Sequence, residues 1–458
     1  MTIASITSHE VGREPERLPG NRLLGHLLDF RRDRLALFAR TFRECGDMGV
    51  YRLGRTPYYF ANSAELAHDV LTSKARLFDK TDRFRTFGRP LLGDGLLTAP
   101  NTLHRTQRRL IQPSFTTNAV NRSAGIASEY TERMAGMWQD GDVVDVRHEM
   151  VRLVLWIVGK DLFSRDVFDE ADELGGALTD AMSGLDRMAR AAIPLTIEWP
   201  TPSNLRYRRA IARFEQSFYR VLNERRTSGE RPADWLTMLL ESRYDDGSPM
   251  SDRQIRDEAL TLYNAGHETT ATSLSWTLSL LVRHPEAYAK LREEARRVLG
   301  DRTPELADRP NLPYALQVFK EALRLYPPVY YFGRQAVEDV TVAGYNVPAG
   351  SVVIFCPYVM HRRPDYFPEP DRFIPERFAP AEEAKIPRHA WMPFGMGPRT
   401  CIGNNYALLN GHLILATLAQ RVRFTAVEGL DVETDPQLTL RPRGPIRMHV
   451  STENAVPA

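Results

Sequence analysis

The sequence predicts a mainly α-helical fold with a minor β-sheet region, and three observations predict it. Helical periodicity fills most of the interior, a run from Ser251 reaches Pro285 without a proline, and β-branched or aromatic runs cluster toward the two ends. Taken in order, Met1 to Pro19 is polar, and residues 1–16 read as a flexible segment. Its Glu10, Arg13, Glu14 and Glu16 occupy the place where a signal peptide needs an apolar core. Val50 to Gly54 and Tyr58 to Phe60 read as a hairpin. His104 and Arg108 fall one above the other on the next helix, with Arg105 and Arg109 pointing elsewhere. Leu153 to Val158 is the richest apolar run and is far too short to span a bilayer, which takes roughly 18 to 20 residues.

From Ser251 the pattern Ser251-Asp252-Arg253-Gln254 is that of a capping box. The helix it opens would extend ~50 Å at the usual rise per residue. Its stripe through Ile255, Ala259, Leu262, Gly266, Thr269, Ser273 and Thr277 holds small residues near the middle, leaving room for something flat. A further helix starts near Pro313 and ends before Pro327-Pro328, with Glu321 and Arg324 sharing a face. Val340 to Tyr345 and Val352 to Phe355 then read as strands.

With 458 residues, 43% hydrophobic and 26% charged, the chain can bury a large core, and no repeat or long linker divides residues 17–458. A formal charge of +2 argues against an overall field for nucleic acid. Cys45, Cys356 and Cys401 form no disulfide framework and suit a reducing cytoplasm.

The chemistry concentrates around Cys401. Phe394-Gly395-Met396-Gly397-Pro398-Arg399-Thr400-Cys401-Ile402-Gly403 sets one cysteine among glycines that can take positive φ, and Asn404 then opens a helical pattern. Backbone N–H groups at a helix start lower a thiol's pKa. A buried structural cysteine in a tight turn is the alternative. The spacing Phe-Gly-x-Gly-x-Arg-x-Cys-x-Gly resembles the haem-binding loop of the cytochrome P-450 family, the haem-thiolate monooxygenases, at every fixed position.

Ala265-Gly266-His267-Glu268-Thr269-Thr270 resembles the same family's acid-alcohol motif on the helix that crosses the oxygen-binding face of the haem. Read alone, Thr269 could bond back to a helix carbonyl and Glu268 could be an ordinary polar residue. Glu321, Arg324 and Arg377 resemble the family's structural triad; without the resemblance they are a solvated ion pair and a separate arginine.

The resemblance, which runs from about Arg17 to Arg447, implies one domain over residues 17–458, with haem b between the long helix and the cysteine loop. It implies Cys401 as axial iron ligand, Thr269 and Glu268 as the oxygen-bonding and proton-delivering pair, and His104, Arg108, Arg334 and Arg399 as propionate partners. Phe394, Gly395 and Ala265 would also line the haem. Phe84, Phe87, Leu96, Val329, Tyr330 and Tyr331 fall where the family lines its substrate pocket, although core packing suits them equally.

The expected reaction inserts one atom of O2 into an apolar small molecule: a fatty acid, terpenoid, steroid or polyketide. No Gly-rich dinucleotide motif follows a strand and no cysteine cluster marks an iron–sulfur centre. Electrons are therefore expected from a ferredoxin or flavodoxin with its NAD(P)H reductase, with Arg105, Arg109, Lys320 and Arg388 as docking candidates. The protein is expected to be a monomer without membrane span. A peroxide-driven peroxygenase and a haem-binding sensor or carrier are the competing readings.

Overall fold

In the computed structural model, which describes residues 12–165, 184–185, 197 and 199–452, contacts divide the chain into two compact units. The first takes the described part of Met1–Asp82 with Tyr331–Pro370 and Ile386–Thr400. The second takes Arg83–Tyr330, Asp371–Lys385 and Cys401–Ala458, again in its described part. Each unit is assembled from separated stretches, which is why no linker in the sequence marks the division.

The first unit is built on a six-stranded sheet in the order Glu16–Arg17, Met48–Leu53, Thr56–Ala61, Val352–Phe355, Phe332–Ala336, Phe78–Asp79. The anticipated hairpin is present, with Leu53 opposite Thr56. Its residues alternate between two apolar clusters. Val50, Tyr59, Ala61, Val353 and Phe355 enter one, while Tyr51, Phe60 and Ile354 enter the other, so both faces of the sheet are covered. Residues 1–11 of the expected flexible segment lie outside the described residues. Beyond them, Arg13 N donates to Gly344 O at 2.8 Å, and Glu16 pairs with Gly49.

Val340 to Tyr345, read as one strand, is instead a hairpin. Val340–Val342 and Tyr345–Val347 pair across Ala343 and Gly344, at φ 43° and 79°. Two successive left-handed residues reverse the chain, a turn that β-branched neighbours conceal in the sequence.

The second unit is organised on the helix Asp252–Arg283, whose residues from Ile255 to Leu281 are buried apart from a short stretch near the middle. Ser251 caps it, its Oγ accepting from Gln254 N at 3.2 Å. The expected reciprocal half of the box is absent: the Gln254 amide donates to Glu258 Oε1 at 2.8 Å. Val146–Phe163 packs alongside, placing the whole Leu153 to Val158 run in the core. A run apolar on every side is one buried by its neighbours, and the long helix is one of them.

Two carboxylates of the long helix hold the loop before the His104 helix. Asp257 Oδ2 accepts from Asp94 N at 2.9 Å and Glu258 Oε2 from Leu96 N at 2.8 Å. Gly93 has φ +56°, and a Cβ there would strike the Asp257 carboxylate, so glycine is required.

Glu321 and Arg324 are wholly buried on the helix Pro313–Leu325, which excludes the solvated alternative for this face. Arg324 Nε and Nη2 donate to the two Glu321 oxygens at 2.7 and 2.8 Å, and Arg377 Nε lies 3.4 Å from Oε1. Ile374 N donates to Glu321 at 2.9 Å, and Arg324 donates to Arg372 O at 2.9 Å. The network thereby fixes the segment around Arg377. Removing one partner leaves an uncompensated buried charge, so Glu321→Ala should cost about 3–5 kcal/mol in urea unfolding. A loss under 1 kcal/mol would mark the pair as dispensable.

Burial pushes the Glu258 carboxyl up to about 8, against the opposing Leu96 N–H and Gln254 amide, with Asp257 adding to the rise. An acid whose pKa is higher folded than unfolded contributes fully below the unfolded value of 4.5, and the contribution is lost as pH rises through about 8. Glu258→Gln should therefore match the wild type near pH 4 and exceed it near pH 9 by on the order of a few kcal/mol. Melting curves that stay parallel across this range would show that Glu258 does not titrate in this way.

Candidate functional site

Along the buried length of the long helix, the exception is an opening at Ala265, Gly266 and Thr269. Ala265 is exposed, and Gly266 and Thr269 are half-buried. Gly266 is small for a second reason: a Cβ there would already touch Val158 of the neighbouring helix. Thr269 Oγ1 donates to Ala265 O at 2.7 Å, the back-bond expected of a helical threonine, which leaves its lone pairs available as acceptors.

Cys401 lies in the same unit, and its side chain is exposed. It stands three residues ahead of the helix Asn404–Arg421, as its spacing anticipates. Burial among protein atoms pushes its thiol up, while the Gly403 N–H bonded to Sγ and the Arg108 charge act in the other direction. The Arg108 guanidinium is itself lowered by burial and raised by Cys401, so the two groups sense each other. On the helix Asn101–Ile111, His104 is buried and Arg108 half-buried, while Arg105 and Arg109 are exposed, as the spacing predicts. Among the described residues no group of three or more His, Cys, Asp and Glu could hold a bare metal ion. A lone accessible cysteine suits a metal that brings its remaining ligands with it.

The other half of the cysteine loop belongs to the first unit. Gly395 and Gly397 take φ of 63° and 69°, and a Cβ at 397 would collide with Leu71 O. Gly403 differs from expectation: its φ of −90° needs no glycine. Thr400 Oγ1 reaches Phe394 O at 3.4 Å across the loop. Arg399 Nη2 bonds Asp79 Oδ1 at 3.0 Å, beside Lys80 and Arg334. Burial first, then Arg334 and Arg399, hold the Lys80 ammonium well below its ordinary value, and burial with Arg399 brings Arg334 to about 10. Lysines and arginines crowded this deeply favour an anion among them.

Glu268 is not directed to bulk solvent. Its Oε1 accepts from Thr439 Oγ1 at 2.5 Å and from Arg441 Nε at 2.7 Å, in a nearly buried ion pair. Thr439, Arg441 and Lys80 were not singled out by the sequence. The first two are separated from Glu268 by 171 and 173 residues, beyond any local pattern. For Lys80 the available signal was adjacency to Asp79 alone.

Of the pocket candidates, Phe87 and Leu96 are buried, Phe84 is half-buried and Val329 is 38% exposed. Core packing accounts for the other two. Tyr330 is fully buried with its hydroxyl donating to Gln437 O at 2.8 Å, and Tyr331 packs on Phe38 with ring centroids 5.5 Å apart. Two docking candidates are also engaged within the chain. Lys320 Nζ donates to both Glu383 oxygens at 2.8 Å, and Arg109 pairs with Asp245 at 2.6 Å. Arg105 and Arg388 are exposed.

Comparison with known proteins finds relatives along nearly the whole chain. The family model described as Cytochrome P450 matches residues 15–450. The chain is 37% identical to cyclooctatin synthase of Streptomyces melanosporofaciens, over 94% of each protein. It is 35% identical to cyclooctat-9-en-7-ol 5-monooxygenase of the same organism, over 91% of this chain and 90% of the relative. With pentalenene oxygenase of Streptomyces avermitilis it shares 34% identity, over 92% and 93%. A motif matched at every fixed position, an accessible cysteine ahead of a helix and near full-length similarity converge: the chain belongs to the cytochrome P450 family and is a monooxygenase.

Proposed function

We propose that this monooxygenase oxidises a terpenoid-like apolar molecule, using haem b held by Cys401 and two electrons from a ferredoxin or flavodoxin with its NAD(P)H reductase. The observation that carries the reading is the opening at Ala265 and Thr269 in an otherwise buried helix, within the unit that also holds an accessible Cys401. These residues fit the group: one sulfur donor at which the Gly403 N–H and Arg108 oppose the rise that burial imposes on the thiol, and a lining of small residues at Ala265 and Gly266. Bound there, haem supplies the activation of O2 and the insertion of one oxygen atom into a C–H or C=C bond.

The chain's own residues supply the rest. Ala265 leaves space at the opening, and Thr269 Oγ1 offers a hydroxyl for hydrogen bonding. Glu268 takes up and releases protons. His104 and Arg108 hold carboxylate groups of the cofactor, and the cationic Arg334 and Arg399 are proposed for the same task. Phe394 and Gly395 are assigned to the cofactor lining. Phe84, Phe87, Leu96 and Val329 are the proposed substrate contacts. Their apolar character suits a hydrocarbon, and the relatives named for pentalenene and cyclooctat-9-en-7-ol favour terpenoids over fatty acids, steroids and polyketides.

Exposed Arg105 is the docking base best retained for an acidic electron donor. No helix among the described residues is long and apolar enough to cross a membrane. A monomer working in the cytoplasm is the simplest setting.

Cys401→Ala should abolish the red-shifted carbon monoxide spectrum of the reduced protein; an unchanged band would remove Cys401 as ligand. Titrations with cyclic terpenes, fatty acids, steroids and macrolides should give the largest spin-state change with a terpene. A fatty acid or macrolide binding at least tenfold more tightly would overturn the proposed substrate class.

A further inference from the structure

The carboxylate of Glu268 is held asymmetrically. Thr439 Oγ1 and Arg441 Nε donate to Oε1, and Arg441 Nη2 lies 2.6 Å from the same oxygen. Oε2 accepts no hydrogen bond from any described residue. Side-chain exposures of 8% for Arg441 and 9% for Glu268 make this a desolvated pair, where geometry and charge matter more than at a surface.

The donors sit on a hairpin with little freedom. Thr434–Pro436 pairs with Leu440–Pro442. Leu440 N donates to Pro328 O at 2.9 Å, Trp276 Nε1 to Leu440 O at 2.8 Å and Tyr330 OH to Gln437 O at 2.8 Å. Trp276 lies two turns beyond Glu268 on the long helix, so helix and hairpin are joined at a second point besides the carboxylate.

We propose that Thr439 and Arg441 are positioning residues for proton delivery: by occupying Oε1 they fix the carboxylate and make Oε2 the atom at which a proton is taken from water and released. This rests on the reading of Glu268 as the proton-handling group. Oε1 is already facing two donors, and a proton added there would confront them; Oε2 has its lone pairs to offer. The nearby Arg147 guanidinium is lowered chiefly by burial and senses Arg441, Asp145, Glu268 and Asp435, so these are the charged groups around the pair. His267 beside it is buried, with its imidazole lowered to about 4 mainly by burial, so it stays neutral near pH 7 and leaves Arg441 as the cation bonded to Glu268.

Two measurements on the holoenzyme test this. The first is infrared spectroscopy of the Glu268 carboxylate, assigned by the bands lost in Glu268→Gln. Unequal hydrogen bonding should separate its two C–O stretches widely in the wild type, narrow the separation in Arg441→Met and Thr439→Val, and partly restore it in Arg441→Lys. The second is NADPH-driven O2 consumption with a ferredoxin and ferredoxin reductase in H2O and D2O, without added substrate.

Glu268→Gln should slow turnover at least tenfold and enlarge the solvent isotope effect. Arg441→Met should reproduce both changes, with Thr439→Val and Arg441→Lys intermediate. Wild-type band separation and isotope effect in the Arg441 and Thr439 variants, alongside an impaired Glu268→Gln, would overturn the positioning role. An unimpaired Glu268→Gln would instead overturn the reading of Glu268 itself. Should Arg441→Met fail to fold, Arg441→Lys and Thr439→Val decide the matter.

Discussion

Charge taken out of water must be matched at bonding distance, and the buried ion pairs of this protein follow from that constraint. The Glu321–Arg324 pair has no exposure, so each carboxylate oxygen and each guanidinium nitrogen it offers has to be committed in advance. That commitment extends outward to Ile374 N and Arg372 O. A helix and an irregular segment are thus held in register by donors and acceptors. The same rule operates on the long helix, where Asp257 holds a loop and Glu268 holds a hairpin, while Glu258, its carboxyl pushed up to about 8 by burial, meets the rule by keeping its proton near neutral pH. One helix consequently organises its surroundings through three acidic side chains, using burial to make each contact specific.

How much of this was legible depended on sequence distance. The cysteine loop could be read because everything its chemistry needs lies within ten residues and the following helix announces itself by period. His104 and Arg108 were legible for the same reason, since spacing of four puts them on one face whatever surrounds them. The long helix was readable from the absence of proline and from Ser251. Its partners were not: nothing local to Glu268 mentions Thr439 or Arg441, and only folding brings them to its carboxylate.

Ambiguities and misreadings share a physical cause. The composition of Glu321 and Arg324 left a solvated stripe open beside the triad, and only their surroundings exclude the stripe. Val340 to Tyr345 has the composition of a strand, but Gly344 with Ala343 turns it. Lys320 counts as a surface base in the sequence and is spent on Glu383 in the fold. Tyr330 and Tyr331 are neighbours in the chain that pack in different places, the first bonded to Gln437 and the second among the rings of Phe30 and Phe38. Composition specifies what a residue can do, whereas tertiary neighbours decide which of those options is taken.

Val329 lies between two attachment points of the C-terminal hairpin, the carbonyl of Pro328 and the hydroxyl of Tyr330. A side chain introduced there to reshape the proposed substrate contact sits next to both bonds that hold the hairpin carrying Arg441. The proposed selectivity and the proposed positioning of Glu268 thus share one stretch of backbone, so libraries at 329 are best sorted on product pattern and peroxide leakage at once.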